Sequence, residues 1–196
     1  GSFYKFKQHG LRDYFTVQQE LSAGPDMLTF SGDKILGGVQ AGILLGKSEL
    51  IKKMRNHSLY RTFRLDKVAI CILEATLEAY LDLKTLPEMV PTVRLLELTT
   101  DEILAKVKSF KKKIKLEKNS NWNCEIVKTN SLTGGGALPN ISIDSIALVL
   151  SHPKWPPSKL QKWFRSQFTP IIVRINEDKI WLDFRTILPQ DNSELL

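Results

Sequence analysis

The chain has 196 residues, 42% of them hydrophobic and 25% charged, and this composition excludes a disordered chain and a fibrous repeat. Its two cysteines, Cys71 and Cys124, are too few for a disulfide framework and lack metal-ligand spacing, so we expect a cytoplasmic protein without a metal site. A net charge of +7 fits a polyanionic partner without requiring one, and apolar runs such as Val68–Leu73 are too short to span a membrane.

The first half of the chain predicts short helices and short strands. A helix is expected over Thr16–Ala23, and a second helix begins at Ser48, whose side chain suits a helix N-terminus. Between them, strands over Met27–Ser31 and Ala41–Leu45 flank the glycine-rich stretch Gly32–Gly38. This arrangement predicts the antiparallel or crossover edge of a buried sheet.

Residues 66–83 form the strongest helical pattern of the chain. Apolar side chains cover nearly all faces of this segment, which predicts a helix that is buried or that packs between subunits. Cys71 lies within it and is expected to be a core residue, because a buried thiol is not reactive. Pro87 and Pro91 break the helical pattern that precedes them.

From about residue 98 the pattern becomes that of a separate domain, so we divide the chain into residues 1–97 and 98–196. An amphipathic helix begins near Thr99. The elements that follow are strands over Cys124–Thr129 and Ser145–Leu150, a helix from Pro156, and a hairpin of Ile171–Ile175 with Lys179–Ile187. This order predicts an α+β sandwich of one sheet with helices on one face.

Two side-chain patterns add detail to the second domain. Apolar residues at positions 180, 182 and 184 alternate with their neighbours, as in a half-buried strand. The four tryptophans of this domain could pack in its core or stack on nucleic-acid bases, and we expect core packing. They are Trp122, Trp155, Trp163 and Trp181.

The opening arm, Phe3–Arg12, has no periodic pattern and does not resemble the start of a domain. The helix and two strands after it would need further strands beside them. We therefore interpret the chain as the C-terminal part of a longer protein, with an irregular two-domain protein as the alternative.

Lys34 has the most unusual surroundings, because it follows an apolar strand within a run of small residues. A lysine that forms a Schiff base must be partly desolvated, so that its amine is neutral and nucleophilic. Small neighbours leave room for a cofactor ring, and Gly37 and Gly38 allow the backbone to approach it. The alternative is a surface turn with a solvated lysine, which spacing alone favours.

Arg61 and Arg64 form a second candidate site. If their segment is helical, the i, i+3 spacing places both side chains on one face, where they can converge on one anion. Guanidinium groups suit phosphate, because each binds two oxygens at once. A basic helix start paired with Asp66 explains the same pattern equally well.

Four segments, taken in chain order, carry a family resemblance. They are Ser-Gly-Asp-Lys-Ile-Leu-Gly-Gly-Val-Gln-Ala-Gly at 31–42, Arg-Thr-Phe-Arg-Leu-Asp-Lys at 61–67, Gly-Gly-Gly-Ala-Leu-Pro at 134–139 and Leu-Asp-Phe-Arg-Thr-Ile-Leu-Pro at 182–189. Together they resemble bacterial selenocysteine synthase, the L-seryl-tRNA(Sec) selenium transferase family. One departure is Val39, where the family usually has proline, which changes loop stiffness and leaves Lys34 untouched.

The resemblance implies the α/β, aspartate-aminotransferase-like fold (fold type I) of pyridoxal-phosphate enzymes. Residues 1–97 would be the end of the large cofactor domain, and residues 98–196 the small α+β C-terminal domain. The implied reaction converts seryl-tRNA(Sec) to selenocysteinyl-tRNA(Sec) with selenophosphate. The implied assembly is a homo-oligomer, built from dimers grouped into rings.

The resemblance also assigns roles to single residues. Lys34 matches the lysine that holds pyridoxal 5'-phosphate and, once freed from it, serves as the base. Asp33 is expected to be its catalytic neighbour. Arg61 and Arg64 match the arginines that bind selenophosphate.

Several alternatives remain open at this stage. The chain alone is expected to be inactive, because the start of the cofactor domain and a tRNA-binding region are missing from it. A related pyridoxal-phosphate lyase of a phosphorylated amino sugar or amino acid is the second enzyme hypothesis. A non-catalytic oligomerisation module is the third. Lysines at 106–118 suit tRNA phosphates, but a solvated helix face is the preferred interpretation.

Overall fold

A computed structural model describes residues 1–7, 10–11, 13–114, 121–134, 137–138, 141–188 and 191. Parts of the predicted segments 3–12, 106–118, 134–139 and 182–189 lie outside these described residues. The chain divides into two compact units, Gly1–Glu97 with Gly134–Ala137, and Leu98–Thr133 with Leu138–Leu196. Each contains helices and one antiparallel sheet, which confirms the predicted mixture of α and β structure. Within the described ranges, no helix is long and apolar enough to cross a membrane.

The first unit follows the predicted order of elements. β1 and β2 pair antiparallel, with Met27 opposite Gly46 and Ser31 opposite Gly42, so the antiparallel alternative is confirmed. Their side chains are half-buried or exposed, so the prediction of a buried sheet is wrong for the described chain. The elements are α1 (Val17–Ser22), β1 (Met27–Ser31), β2 (Gly42–Gly46), α2 (Ser48–Arg55), a 3₁₀ helix (Ser58–Phe63), α3 (Lys67–Ala79), α4 (Leu86–Met89) and α5 (Pro91–Glu97).

The N-terminal arm belongs to the core of the first unit, although its sequence has no period. Phe6 and Leu11 are almost completely buried, and the backbone oxygen of Ser2 accepts a hydrogen bond from the Val17 amide at 2.9 Å. The Phe3 ring meets the Phe30 ring edge-on at 5.9 Å. The arm is neither helix nor strand, so its buried residues follow no regular spacing.

Helix α3 differs most from its prediction. It begins at Asp66, whose carboxylate accepts a hydrogen bond from the Ala69 amide at 2.8 Å. Val68 is 69% exposed and Ile70 is 51% exposed. The prediction that this helix is buried is therefore wrong for the described residues. Cys71 is exposed as well, so its predicted place in the core is also wrong. Apolar composition indicates that a helix needs a covering surface but cannot say which one, and packing between subunits stays a prediction.

The second unit has the predicted order of helices and strands. Its antiparallel sheet has the order β3-β4-β6-β5, so the last two strands form a hairpin and β6 lies inside the sheet. The hairpin turns at Glu177 and Asp178, which both have positive φ. The elements are α6 (Thr100–Lys113), β3 (Asn123–Leu132), β4 (Ser142–Ser151), α7 (Pro157–Arg165), β5 (Arg174–Asn176) and β6 (Lys179–Asp183).

The core of the second unit lies between its sheet and its two helices. Side chains of α6 and α7 pack with those of β4 and β6 in one cluster, which includes Phe110, Leu148, Leu160 and Phe184. The predicted sandwich with helices on one face is therefore confirmed. The opposite face of the sheet carries a smaller cluster around Trp181.

Two side-chain predictions for the second unit need correction. β6 is buried on both faces, because one face packs against α6 and α7 and Trp181 on the other face packs with Ala147 and Val149, so the half-buried pattern is wrong. Trp181 is buried and Trp122 packs against the core, but Trp155 is 36% exposed and Trp163 is 47% exposed. The prediction that all four tryptophans pack in the core is therefore wrong for two of them.

A buried polar network accounts for the motif at 182–189. The Asp183 carboxylate accepts hydrogen bonds from the Ser131 hydroxyl at 2.5 Å and the Ser145 hydroxyl at 2.6 Å. The buried Arg185 guanidinium donates to the backbone oxygens of Leu98 at 3.0 Å and Asp144 at 2.6 Å. These charge-assisted bonds join three strands to the start of α6, so this motif serves the fold of the second unit.

Candidate functional site

Lys34 lies in the turn that joins β1 to β2. The turn is closed by hydrogen bonds from the Gly32 amide to the Ala41 oxygen and from the Gly38 amide to the Gly32 oxygen, both at 2.8 Å. A further bond links the Gly37 amide to the Lys34 oxygen at 3.0 Å. The backbone around Lys34 is therefore fixed by its own hydrogen bonds.

The two residues after Lys34 anchor the turn in the first unit. Ile35 and Leu36 are almost completely buried. The Tyr80 hydroxyl, at the end of α3, donates a hydrogen bond to the Leu36 oxygen at 2.9 Å. Burial raises the pKa of Tyr80, so the phenol keeps the proton that it donates. A buried pair of apolar residues and one long-range hydrogen bond thus hold the lysine in place.

Glycines in this turn are required by close packing within the protein. Gly37 has φ +77°, and a Cβ there would lie 2.7 Å from Val90 Cγ1. A Cβ on Gly38 would lie 3.3 Å from the Thr76 side chain of α3. The sequence interpretation assigned these glycines to the approach of a cofactor. In the structure, the surface they approach is that of the first unit itself.

Asp33 is the immediate partner of Lys34. The Lys34 Nζ lies 2.5 Å from Asp33 Oδ2, and the Ser31 hydroxyl donates to the other carboxylate oxygen. The hydrogen bond from Lys34, and then that from Ser31, lowers the pKa of Asp33. The Lys34 side chain is 41% exposed, which lies between the partly desolvated amine and the solvated surface lysine that the sequence left open.

Lys34 lines a concavity of about 540 Å³ on the surface of the β1–β2 hairpin. This volume lies within the usual range for small-molecule sites, about 300–1,000 Å³. Among its lining residues, Lys34 is the one cation and Asp33 the one carboxylate. The residues that line it include Thr29, Ser31, Gln40 and Ile43.

Arg61 and Arg64 lie at the end of the 3₁₀ helix. Arg61 is within it and Arg64 is its C-terminal cap, with φ −67° and ψ 141°, so the i, i+3 convergence on one anion stays a prediction. Both are exposed and lie outside the lining of the Lys34 concavity. Within the part of the chain that the structure describes, neither has an ion-pair partner, and Asp66 caps α3 instead.

Sequence reasoning identified Lys34 and Asp33 but missed the residues that position them. Ser31, which orients the carboxylate, was present in the resembling segment without a role. Tyr80 lies 44 residues from its partner Leu36, so no local pattern connects them. Among the described residues, no group of three or more His, Cys, Asp or Glu is arranged to hold a metal ion.

Comparison with known proteins identifies relatives along nearly the whole chain. One relative, the L-seryl-tRNA(Sec) selenium transferase of Aliarcobacter butzleri, is 42% identical over 168 residues, which are 85% of this chain and 35% of the relative. The protein of the same name from Haemophilus influenzae is 37% identical over 188 residues, which are 95% of this chain and 41% of the relative. A Clostridium botulinum protein of that name is 35% identical over 192 residues, which are 97% of this chain and 41% of the relative.

The family assignment follows from a family profile that matches almost the whole chain. The chain spans about 35–41% of the length of these relatives, so it corresponds to part of each of them. The family profile described as SelA, L-seryl-tRNA selenium transferase, matches residues 1–188. This match includes the Lys34 turn, the arginine segment and the buried Asp183–Arg185 network. The chain therefore belongs to the L-seryl-tRNA selenium transferase family.

Proposed function

We propose that the protein containing this chain is a pyridoxal-phosphate-dependent enzyme that converts seryl-tRNA(Sec) to selenocysteinyl-tRNA(Sec) with selenophosphate. The observation that carries the proposal is an anchored lysine, Lys34, at a ligand-sized concavity in a chain of this family. The names of the relatives supply the reaction. We also propose that the enzyme is a cytoplasmic homo-oligomer of fold type I, whose large domain ends with the first unit.

The residues of the concavity suit one end of pyridoxal 5'-phosphate. Lys34 offers a primary amine, 41% exposed, on a backbone that the protein holds in place. A phosphate group needs cations or free backbone amides, and the described lining has no cation besides Lys34. We therefore propose that Lys34 binds the aldehyde end, and that parts of the longer protein outside this chain bind the phosphate.

Lys34, Asp33 and Ser31 are the residues of this chain that we propose handle the α-proton of the substrate. When bound, pyridoxal phosphate supplies an electron sink for the loss of the α-proton and the β-substituent of an amino acid. Asp33 holds Lys34 Nζ in place, and Ser31 fixes the Asp33 carboxylate. An amine held this way is positioned to act as the base that moves a proton of the substrate.

Arg61 and Arg64 suit an anionic substrate in a different way. Both guanidinium groups are exposed, and neither is neutralised by a carboxylate in the described part of the chain. We propose that they bind the phosphate of selenophosphate, because each fork can hold two oxygens. The three-residue separation at the end of the 3₁₀ helix would let both side chains reach one anion.

The experiment that tests this proposal uses the full-length protein with Lys34→Ala and Lys34→Arg. Both variants are expected to lose the absorbance band of bound pyridoxal phosphate and to form selenocysteinyl-tRNA(Sec) only at background rate, because the amine that binds the aldehyde is gone. The matched control is Lys47→Ala, which removes a lysine of the same unit that pairs with Asp26. It should retain both signals.

Two results would contradict the proposal. One is a Lys34→Ala variant that keeps the absorbance band and the turnover. The other is a wild-type protein that releases a product from a phosphorylated amino acid or amino sugar without tRNA, which would favour the lyase hypothesis.

In the assay of selenocysteinyl-tRNA(Sec) formation, Arg61→Ala and Arg64→Ala should raise the selenophosphate concentration needed for half-maximal rate and leave cofactor absorbance unchanged.

A further inference from the structure

The second unit contains the longest stretch of the sequence without an acidic residue. No aspartate or glutamate occurs between Asp144 and Glu177. The same stretch carries five cations, Lys154, Lys159, Lys162, Arg165 and Arg174. Four of these five lie on α7 or just before it. Within this stretch, the positive charge therefore gathers at α7 and its approach, with no acidic residue beside it in the sequence.

Helix α7 directs its apolar face inward and its basic face outward. Leu160 and Phe164 are buried in the core. Lys159 and Lys162 are exposed, and so is Trp163, which is 47% exposed. Residues 159, 162 and 163 follow the i, i+3, i+4 spacing of one helix face. The exposed face therefore presents two ammonium groups beside an indole ring.

A second exposed indole precedes the helix. Trp155 is 36% exposed, and the Lys159 ammonium lies over its ring at 4.6 Å from the centroid. A concavity of about 280 Å³ adjoins it, and its lining includes His152 and Lys154. Asp178 is the one carboxylate among its described lining residues. We call Lys154, Trp155, Lys159, Lys162, Trp163 and Arg165 the α7 surface.

Within the described ranges, none of the α7-surface cations Lys154, Lys159, Lys162 and Arg165 forms an ion pair. On α6, Lys111 donates to the Cys124 oxygen at 2.7 Å, and Lys112 and Lys113 form no ion pair in the described part of the chain either. The difference between the two helices is the exposed tryptophan, because α6 contains none. The structure thus favours α7 over the helix that composition alone makes most prominent.

We propose that the α7 surface binds RNA, with its cations on phosphate oxygens and its two indoles against unpaired bases. Basic grooves with exposed aromatic rings are the usual means of holding single-stranded nucleic acid, because every base has a face that stacks. Unpaired cations add salt-dependent affinity for phosphate. In taking tRNA(Sec) as that RNA, the inference rests on the proposed function. An acidic protein would suit the cations but gives no role to two exposed indoles.

The test measures binding of an unacylated tRNA(Sec) transcript to the full-length protein over a range of potassium chloride concentrations. Lys159→Gln/Lys162→Gln should weaken binding about tenfold and reduce the slope of log Kd against log salt by about 2, one for each lost phosphate contact. Trp163→Ala should weaken binding about tenfold, and Trp163→Phe should restore most of it through stacking. Thermal unfolding of each variant verifies that the second unit is intact.

The matched control removes the same charge from α6. Lys112→Gln/Lys113→Gln should leave the affinity and its salt slope unchanged. Equal weakening by both double variants would overturn the inference, because it would indicate a general charge effect. Unchanged binding by the α7 variant would overturn it too, as would a change in its oligomeric state at unchanged tRNA affinity, which would mark a protein interface.

Failure of this inference is distinguishable from failure of the proposed function. The α7 variants should need about tenfold more seryl-tRNA(Sec) for half-maximal turnover, whereas Lys34→Ala should bind tRNA normally and not turn over. A wild-type protein that binds tRNA through α7 but makes no selenocysteinyl-tRNA would contradict the proposed function alone.

Discussion

The two units differ in where their apolar side chains lie. In the second unit, α6 and α7 cover one face of the sheet, and side chains such as Leu148 and Phe184 are buried. In the first unit, α3 exposes Val68 and Ile70. The residues of the second unit therefore account for its fold, whereas α3 needs a covering surface that the described residues do not provide.

The sequence offers a separate optical probe for each unit. All four tryptophans lie at residues 122–181, and all four tyrosines lie at residues 4–80. Tryptophan fluorescence therefore reports unfolding of the second unit, and tyrosine absorbance reports unfolding of the first. This separation matters because two units need not unfold in one transition.

Phe184→Ala is the change expected to cost most, because it empties the core of the second unit. Phe184 is 1% exposed, and its ring lies 5.2 Å from that of Phe110. We expect a loss of about 3–5 kcal/mol in unfolding free energy, from lost burial and the cavity left behind. Urea unfolding followed by tryptophan fluorescence measures it. The control is Phe168→Ala, at a residue that is 102% exposed, with an expected change within about 0.5 kcal/mol.

Gly37→Ala tests the first unit at the lysine turn. A methyl group there meets Val90 Cγ1 at 2.7 Å in a positive-φ backbone, so we expect a loss of about 2–3 kcal/mol. Tyrosine absorbance in urea measures this loss. Gly24→Ala is the matched control, because Gly24 also has positive φ but nothing within 4 Å. It should cost only about 1 kcal/mol, and equal losses at both glycines would show that packing against Val90 is unimportant.

The smallest effect is expected on α3, and it tests the comparison between the units directly. Val68→Ala should change the unfolding free energy of this chain by about 0.5 kcal/mol or less, because Val68 is 69% exposed. Val107→Ala, the same change at a fully buried position of α6, should cost about 2 kcal/mol. Similar losses at the two positions would contradict the account of α3 as an uncovered helix.

In the second unit, the order of helices and strands could be predicted from the sequence, but the burial of several side chains could not. Alternation and turn residues indicate the strands and the hairpin at Glu177 and Asp178. The burial of β6 on both faces depends on the two helices over one face and the Trp181 cluster on the other, which are tertiary contacts and not a local pattern. The exposure of Trp155 and Trp163 depends in the same way on which face of α7 meets the sheet.

Of the residues at the candidate site, only Lys34 and Asp33 could be proposed from the sequence. Lys34 is distinctive because a lysine among small residues after a strand is uncommon, and the family resemblance adds Asp33. The contacts that hold the turn, from Tyr80, Val90 and Thr76, come from elements 38 or more residues away. Contacts over such separations leave no periodic signal in one sequence.

The central claim is that Lys34 is the residue to which pyridoxal phosphate attaches. The most direct measurement is borohydride reduction of the full-length protein loaded with pyridoxal phosphate, followed by proteolysis and mass spectrometry of the peptides. The account predicts a pyridoxyl group on the peptide that contains Lys34, and on no other lysine of this chain. A pyridoxyl group on a different lysine, or an unmodified Lys34 in protein that retains the cofactor, would contradict it.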